Sequence, residues 1–123
     1  MSRTLALLAI CLLAAGCMGQ KEEISILETS VSKNGNSYRG RVIAQNSGEA
    51  TYKMCVIEMR GGDSGKSVIK TVEKTMSAGP GAAITINIDE RIPSVSVTQV
   101  AVCCYKSEAY SGNPTCSNRY NIQ

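Results

Sequence analysis

The stretch Ile84-Thr85-Ile86-Asn87-Ile88 decides how this chain is read. Its apolar residues fall at every second position, the period at which side chains of an extended strand return to the same face. Ile84, Ile86 and Ile88 therefore point one way, and Thr85 and Asn87 the other. One face is dry and the other wet. β-Branched side chains also suit a pleated, half-buried surface.

Working outward, the same period recurs between turn signals. Upstream, Ala78-Gly79-Pro80-Gly81 reverses the chain, and residues 67–76 mix Val68 and Val72 with Lys70 and Lys74, as expected of an edge strand. Residues 61–65, Gly-Gly-Asp-Ser-Gly, separate that strand from another over residues 51–59. Asn46-Ser47-Gly48-Glu49 is the next turn back. Before it, Tyr38, Gly40, Val42 and Ala44 share one side of a strand, and Arg39, Arg41 and Gln45 the other. Lys33-Asn34-Gly35-Asn36 predicts a tight hairpin, because Asn-Gly tolerates positive φ. Ile24 and Ile26 share a face of a first strand over residues 24–31. Downstream, Pro93 precedes a strand over residues 95–105, and a loop over residues 106–114 leads to a short last strand within residues 116–122. No capped helix with a sustained apolar stripe is present outside the N-terminal segment. About seven short strands at spacings of roughly ten residues predict an all-β fold, a single antiparallel immunoglobulin-like β-sandwich over residues 24–123.

Composition narrows the chemistry. The chain has 123 residues, five Tyr, no Phe, no Trp and no His. Its core must come from Val, Ile, Met, Leu and Ala, with Tyr packing its ring and keeping its hydroxyl bonded or wet. Lack of His removes the commonest general base and the usual Ser-His and Cys-His nucleophile pairs. The net charge of +3 is scattered rather than striped, which argues against a nucleic-acid footprint. Gly65-Lys66-Ser67 resembles the end of a phosphate-binding loop. However, the first glycine that motif requires falls at Arg60, and a strand rather than a helix follows. The carboxylate pairs Glu22-Glu23 and Asp89-Glu90 are sequence neighbours. In extended chain they face opposite ways, as solvated charges do. No catalytic residue, cofactor or metal site is expected.

The chain has six cysteines. Cys11 lies in the N-terminal apolar segment and Cys17 closes it. Cys55, Cys103, Cys104 and Cys116 form an even set in a small domain, which predicts two disulfides in an oxidising compartment. A structural zinc site would instead bring its ligands in close pairs, and only Cys103-Cys104 is close. Those two neighbours face opposite ways on one strand, so each takes a different partner. Val100, Val102 and Cys104 share the face assigned to the core. That directs Cys104 to Cys55 and leaves Cys103 to Cys116, with the swapped pairing still open.

The first twenty residues carry the strongest statement about location. Arg3 is followed by an uncharged apolar run from Thr4 to Ala15, ending in small residues before Cys17. A spanning helix needs about 20 apolar residues; this run is shorter and has the form of a removable export signal. Leu12-Leu13-Ala14-Ala15-Gly16-Cys17 resembles the lipobox of prokaryotic lipoproteins. The resemblance implies a signal peptide over residues 1–16 and a lipidated Cys17 as the new N-terminus. Residues 17–23 then form the anchor cysteine and a short polar leash. The protein would sit in the cell envelope, held to the membrane on its extracytoplasmic side.

Within the domain, Gly40-Arg41-Val42-Ile43-Ala44-Gln45-Asn46-Ser47-Gly48, a strand, Asp63-Ser64-Gly65-Lys66 and Gly79-Pro80-Gly81 are similar to small envelope domains of the FxLYD and CARDB type. That likeness implies an immunoglobulin-like module of a prokaryotic surface protein. With no catalytic residues in view, a non-catalytic module with an envelope or cell-surface protein as partner is expected. The candidate contact surface is the loop over residues 105–115, set against the plainer reading that a polar Gly-Pro loop is only a solvated connection. The loop combines Tyr105 and Tyr110 with Ser107, Ser111, Gly112 and Asn113, residue types that give broad contact area and adaptable hydrogen bonding. The competing expectation is a small envelope redox or metal-binding protein that uses the Cys103-Cys104 pair.

Overall fold

A computed structural model describes residues 23–62, 65–93, 95–109 and 112–122. The alternation seen in the sequence becomes two antiparallel sheets packed face to face. Nine strands form among the described residues: β1 (Ile24–Thr29), β2 (Ser32–Asn34), β3 (Ser37–Asn46), β4 (Tyr52–Gly61), β5 (Ser67–Ala78), β6 (Ala83–Arg91), β7 (Val97–Tyr105), β8 (Thr115–Cys116) and β9 (Tyr120–Asn121). The first sheet places β3 between β6 on one side and β1 with β2 on the other. The second runs β5, β4, β7, with β8 and β9 both paired to the free side of β7. The chain changes sheet after β3, β5 and β6, an immunoglobulin-like order. β5 lies beside β4 rather than beside β6, which gives the second sheet its extra strand.

The first strand, expected over residues 24–31, ends at Thr29, and a short β2 forms where the turn is expected to begin; the last expected strand is broken in two. The chain bends at Ser30 and Val31, between β1 and β2. Opposite the bend, Gly40 has φ +140°, and a Cβ there would lie 2.7 Å from the Ser30 carbonyl carbon and 2.8 Å from Val31 Cα. Glycine is therefore required for the close approach, which lets Val31 enter the core. The Ser30 hydroxyl accepts from the Arg41 N–H at 3.2 Å and replaces a ladder bond. The last strand breaks between β8 and β9. There the Ser117 hydroxyl accepts from the Val102 N–H at 3.0 Å, and the Ser117 N–H donates to the Val102 carbonyl at 2.8 Å. The edge of β7 is thereby satisfied without a regular strand. The strand expected to begin at residue 95 begins at Val97 instead, and Val95 is exposed.

Ile84, Ile86 and Ile88 are buried and face Ala44, Val42 and Gly40 across the register. Val42, Ala44 and Tyr38 are buried on the same side of β3, and Arg39 and Arg41 are exposed on the other. From the second sheet, Tyr52, Cys55, Ile57, Met59, Val97, Val100, Val102 and Cys104 complete the core. Register shifts at Tyr52/Met54 and Arg60/Gly61 turn the backbone over locally. Tyr52 and Cys55 both face inward as a result, as do Val97 and Val100, although each pair is three residues apart. Fully burying one such side chain contributes about 1.5–3 kcal/mol.

Polar groups inside the sandwich are bonded in ways that lock the layers together. The Tyr38 hydroxyl, fully buried on β3, accepts from the Val97 N–H of the opposite sheet at 2.9 Å. Asn46 is also fully buried. Its side-chain amide donates to the Ala50 and Ala78 carbonyls at 2.7 and 3.0 Å and accepts from the Gly48 N–H. At the edge where β5 meets β6, Lys74 donates to the Thr85 carbonyl at 2.7 Å, and Lys70 lies 3.4 Å from the Glu90 carboxylate. The edge lysines read from the sequence therefore close that side of the sandwich.

Register also defines two ends. Ile24 lies opposite Asn46, Tyr52 opposite Ala78, Ala83 opposite Gln45, and Tyr105 opposite Met54. The start of β1, the turns at residues 47–51 and 79–82, and residues 106–109 after β7 thus share one end. The hairpin tip at Gly35, the β4–β5 loop and the β6–β7 loop share the other.

Candidate functional site

The cysteines are the first test of the expected site. Cys55 lies directly across from Cys104, and Cys103 directly across from Cys116. Both pairs are disulfides, with Cα atoms 4.1 and 4.0 Å apart. The expected pairing is the observed one. Because Cys103 and Cys104 are adjacent on β7, the two bonds cross the sheet at one level on opposite faces. Cys55–Cys104 is inside the core. Cys103–Cys116 lies on the outer face and ties β7 to β8. Each thiol of the Cys103-Cys104 pair is consumed by a different strand, and all four cysteines among the described residues are bonded.

Around the outer bond is a cluster that the sequence reading did not single out. Met54, Val56 and Cys103 are buried together on the outer face, with Tyr105 packed against them. Cys103 is fully buried, whereas Cys116 is exposed. A carboxylate oxygen of Glu58 and the two sulfurs of Cys103 and Cys116 lie within 4.8 Å of one another. Those sulfurs are bonded to each other, so they offer no thiolate to a cation. Glu58 is instead paired with Arg60 Nη1, both side chains being mostly buried at 18% and 12% exposure. Arg60 also donates from Nε to the Gly65 carbonyl at 2.7 Å and from Nη2 to the Lys66 carbonyl at 2.9 Å. One guanidinium therefore holds a carboxylate and the base of the β4–β5 loop. Its fixed fork of donors suits that task, which a lysine could not perform.

The sign that could have revealed this cluster is diagonal pairing. With Cys55 opposite Cys104, Val56 must lie opposite Cys103, and Glu58 one step along the same face. Side chains at such diagonal positions are within reach of each other. Finding it needs the register, which the sequence supplies only after the disulfide partners are known.

Cys17 and Tyr110 lie outside the described residues. Tyr105 is half-buried against the outer cluster, so its ring is partly spent on packing, and Asn113 is exposed. Ser67 opens β5, a strand, so the Gly65-Lys66-Ser67 segment is a turn rather than a phosphate-binding loop. Asp89 pairs with Arg39 and Glu90 with Lys70, on opposite faces of β6. A shallow polar recess on the outer face of the first sheet is lined by Ser32, Asn34, Ser37 and Arg39. No helix among the described residues is long and apolar enough to cross a membrane.

The fold and its stapled sheet define a small disulfide-bonded β-sandwich. No family profile matches the chain, and no curated protein or solved structure is significantly similar to it.

Proposed function

We propose that this chain is a lipid-anchored, non-catalytic binding or accessory module of a prokaryotic cell envelope. Residues 1–16 export it, and Cys17 holds it to the membrane. The observation that carries the reading is the apolar run ending Ala14-Ala15-Gly16-Cys17. Two disulfides in so small a domain support it, because such bonds persist in oxidising compartments outside the cytosol. The strand order is also compatible with an immunoglobulin-like module of the FxLYD or CARDB type. Such modules present loops at both ends of a rigid sandwich, and Tyr105, which closes β7, lies at one of those ends. A redox or metal-binding role for Cys103-Cys104 would require free thiols, and both sulfurs are bonded.

The anchor is tested by Cys17→Ser. Two acyl chains hold a protein stably where one is marginal, each buried methylene contributing about 0.8 kcal/mol. The variant is expected to leave the membrane fraction or to remain unprocessed. An unmodified Cys17 in the wild-type protein, read by intact mass, would defeat the proposal. A partner is sought by capture from detergent-solubilised envelopes with the lipidated protein.

A further inference from the structure

The geometry points to an interaction surface that the strand register creates: the end of the sandwich formed by residues 47–51, 79–82 and 106–109 rests on the lipid headgroup layer. This inference depends on the anchor at Cys17 proposed above. Its first support is where the chain leaves the fold. The Glu23 carbonyl accepts from the Ser47 N–H at 2.7 Å, and its carboxylate accepts from the Tyr52 hydroxyl at 3.3 Å. The start of the domain is therefore clamped to this end and not to a side or to the far tip.

The second support is length. Residues 18–23 separate Cys17 from β1, and six residues reach at most about 20 Å. β3 and β4 each have ten residues, which makes the sandwich roughly 30 Å long. A leash of that reach cannot bring the far end to the surface while the near end points away. The third support is the character of the sides. The large exposed apolar residues, Leu27, Val68 and Val95, lie on β1, at the start of β5 and in the β6–β7 loop. Among the described residues these are the large apolar side chains left exposed, and they sit on three different elements.

The near end carries Glu23, Glu49, Lys53, Lys106 and Glu108, a mixed set that supplies no basic patch. Contact is thus imposed by the tether, and the headgroup layer need not be anionic. Residues 106–109, which open the loop expected to meet a protein partner, face the bilayer. A partner approaching from outside meets the opposite end, around Gly35, Lys66 and Val95.

The chain contains no Trp, so one introduced indole reports from one place. Lys106→Trp and Glu49→Trp mark the near end, and Lys66→Trp the far end; all three positions are exposed. Each full-length lipidated protein is reconstituted into phosphatidylcholine vesicles that contain a headgroup-dansylated lipid. With the ends about 30 Å apart, energy transfer is expected to be at least threefold stronger from both near-end positions than from Lys66→Trp. High salt should leave that contrast unchanged. Equal transfer from both ends would mean that the sandwich lies flat, and stronger transfer from Lys66→Trp that it is inverted; either overturns the inference. A protein that floats with the vesicles but gives one of those patterns overturns the orientation alone. A protein that does not float overturns the anchor and the orientation together.

Discussion

The two sheets are held by different means. The first, with β3 at its centre, presents one apolar face to the core and one polar face to water, and no disulfide crosses it. Its strength is the row Ile84, Ile86 and Ile88 against Val42 and Ala44. The second is buried on both faces of its central strands, where Met54, Val56, Ala101 and Cys103 lie opposite the core residues. Disulfides join β4 to β7 and β7 to β8. A domain without Phe or Trp has little bulk to bury, and small domains with limited cores commonly rely on such staples. Covalent reinforcement is concentrated in the sheet that carries the loop over residues 106–114.

Removing the staples should have the largest effect. Cys55→Ala with Cys104→Ala opens a bridge of sequence separation 49, and Cys103→Ala with Cys116→Ala one of 13. By the chain-entropy account the losses are about 4 and about 3 kcal/mol respectively. The core pair should lose somewhat more than that, since its sulfurs also fill the interior. Urea denaturation of both double variants checks the order. If the outer pair cost more than the core pair, the outer cluster would be the stronger element of the second sheet.

A smaller effect is expected where the sheets are joined. Tyr38→Phe keeps the ring and removes the acceptor of the buried Val97 N–H. An unsatisfied buried donor costs about 1–3 kcal/mol, so the midpoint of thermal unfolding should fall measurably. No change would mean that water reaches Val97, and that the first sheet depends on its apolar row alone.

The least sensitive site should be the wet face of the first sheet. Arg39 and Asp89 are 3.1 Å apart but about three-quarters exposed, at 76% and 77%. Exposed pairs of this kind contribute roughly 0–1 kcal/mol. Arg39→Ala should leave the denaturation midpoint nearly unchanged. A loss comparable with that of Tyr38→Phe would remove the contrast drawn between that face and the core.

The candidate site was legible in the sequence to the extent that it depended on face alternation. Cys104 shares a face with Val100 and Val102, and that parity puts it on the core face and Cys103 on the other. The swapped pairing is excluded only by the register, which sets Cys55 opposite Cys104. Glu58 and Arg60 were not legible. Their role depends on which strand lies beside β4 and at what register, and neither is encoded within β4 itself. Asn46 read as a turn residue, and it does begin a turn. Its burial and its bond to Ala78 follow from the return of β5 to the same end of the sandwich.

Local chemistry by itself determined most strands, the inner and outer faces of β3 and β6, the hairpin at Asn34-Gly35 and the even set of cysteines. Period, β-branching and turn residues act within a few positions, so no knowledge of neighbours is needed to read them. Only the tertiary structure decided that β5 joins β4, that Gly40 lets Val31 inward, and that Arg60 holds Glu58 beside the outer disulfide. It also decided that the start of β1 and residues 106–109 after β7 share one end. Each of these depends on the register between segments distant in sequence. A shift of one residue in that register would exchange the buried and exposed faces.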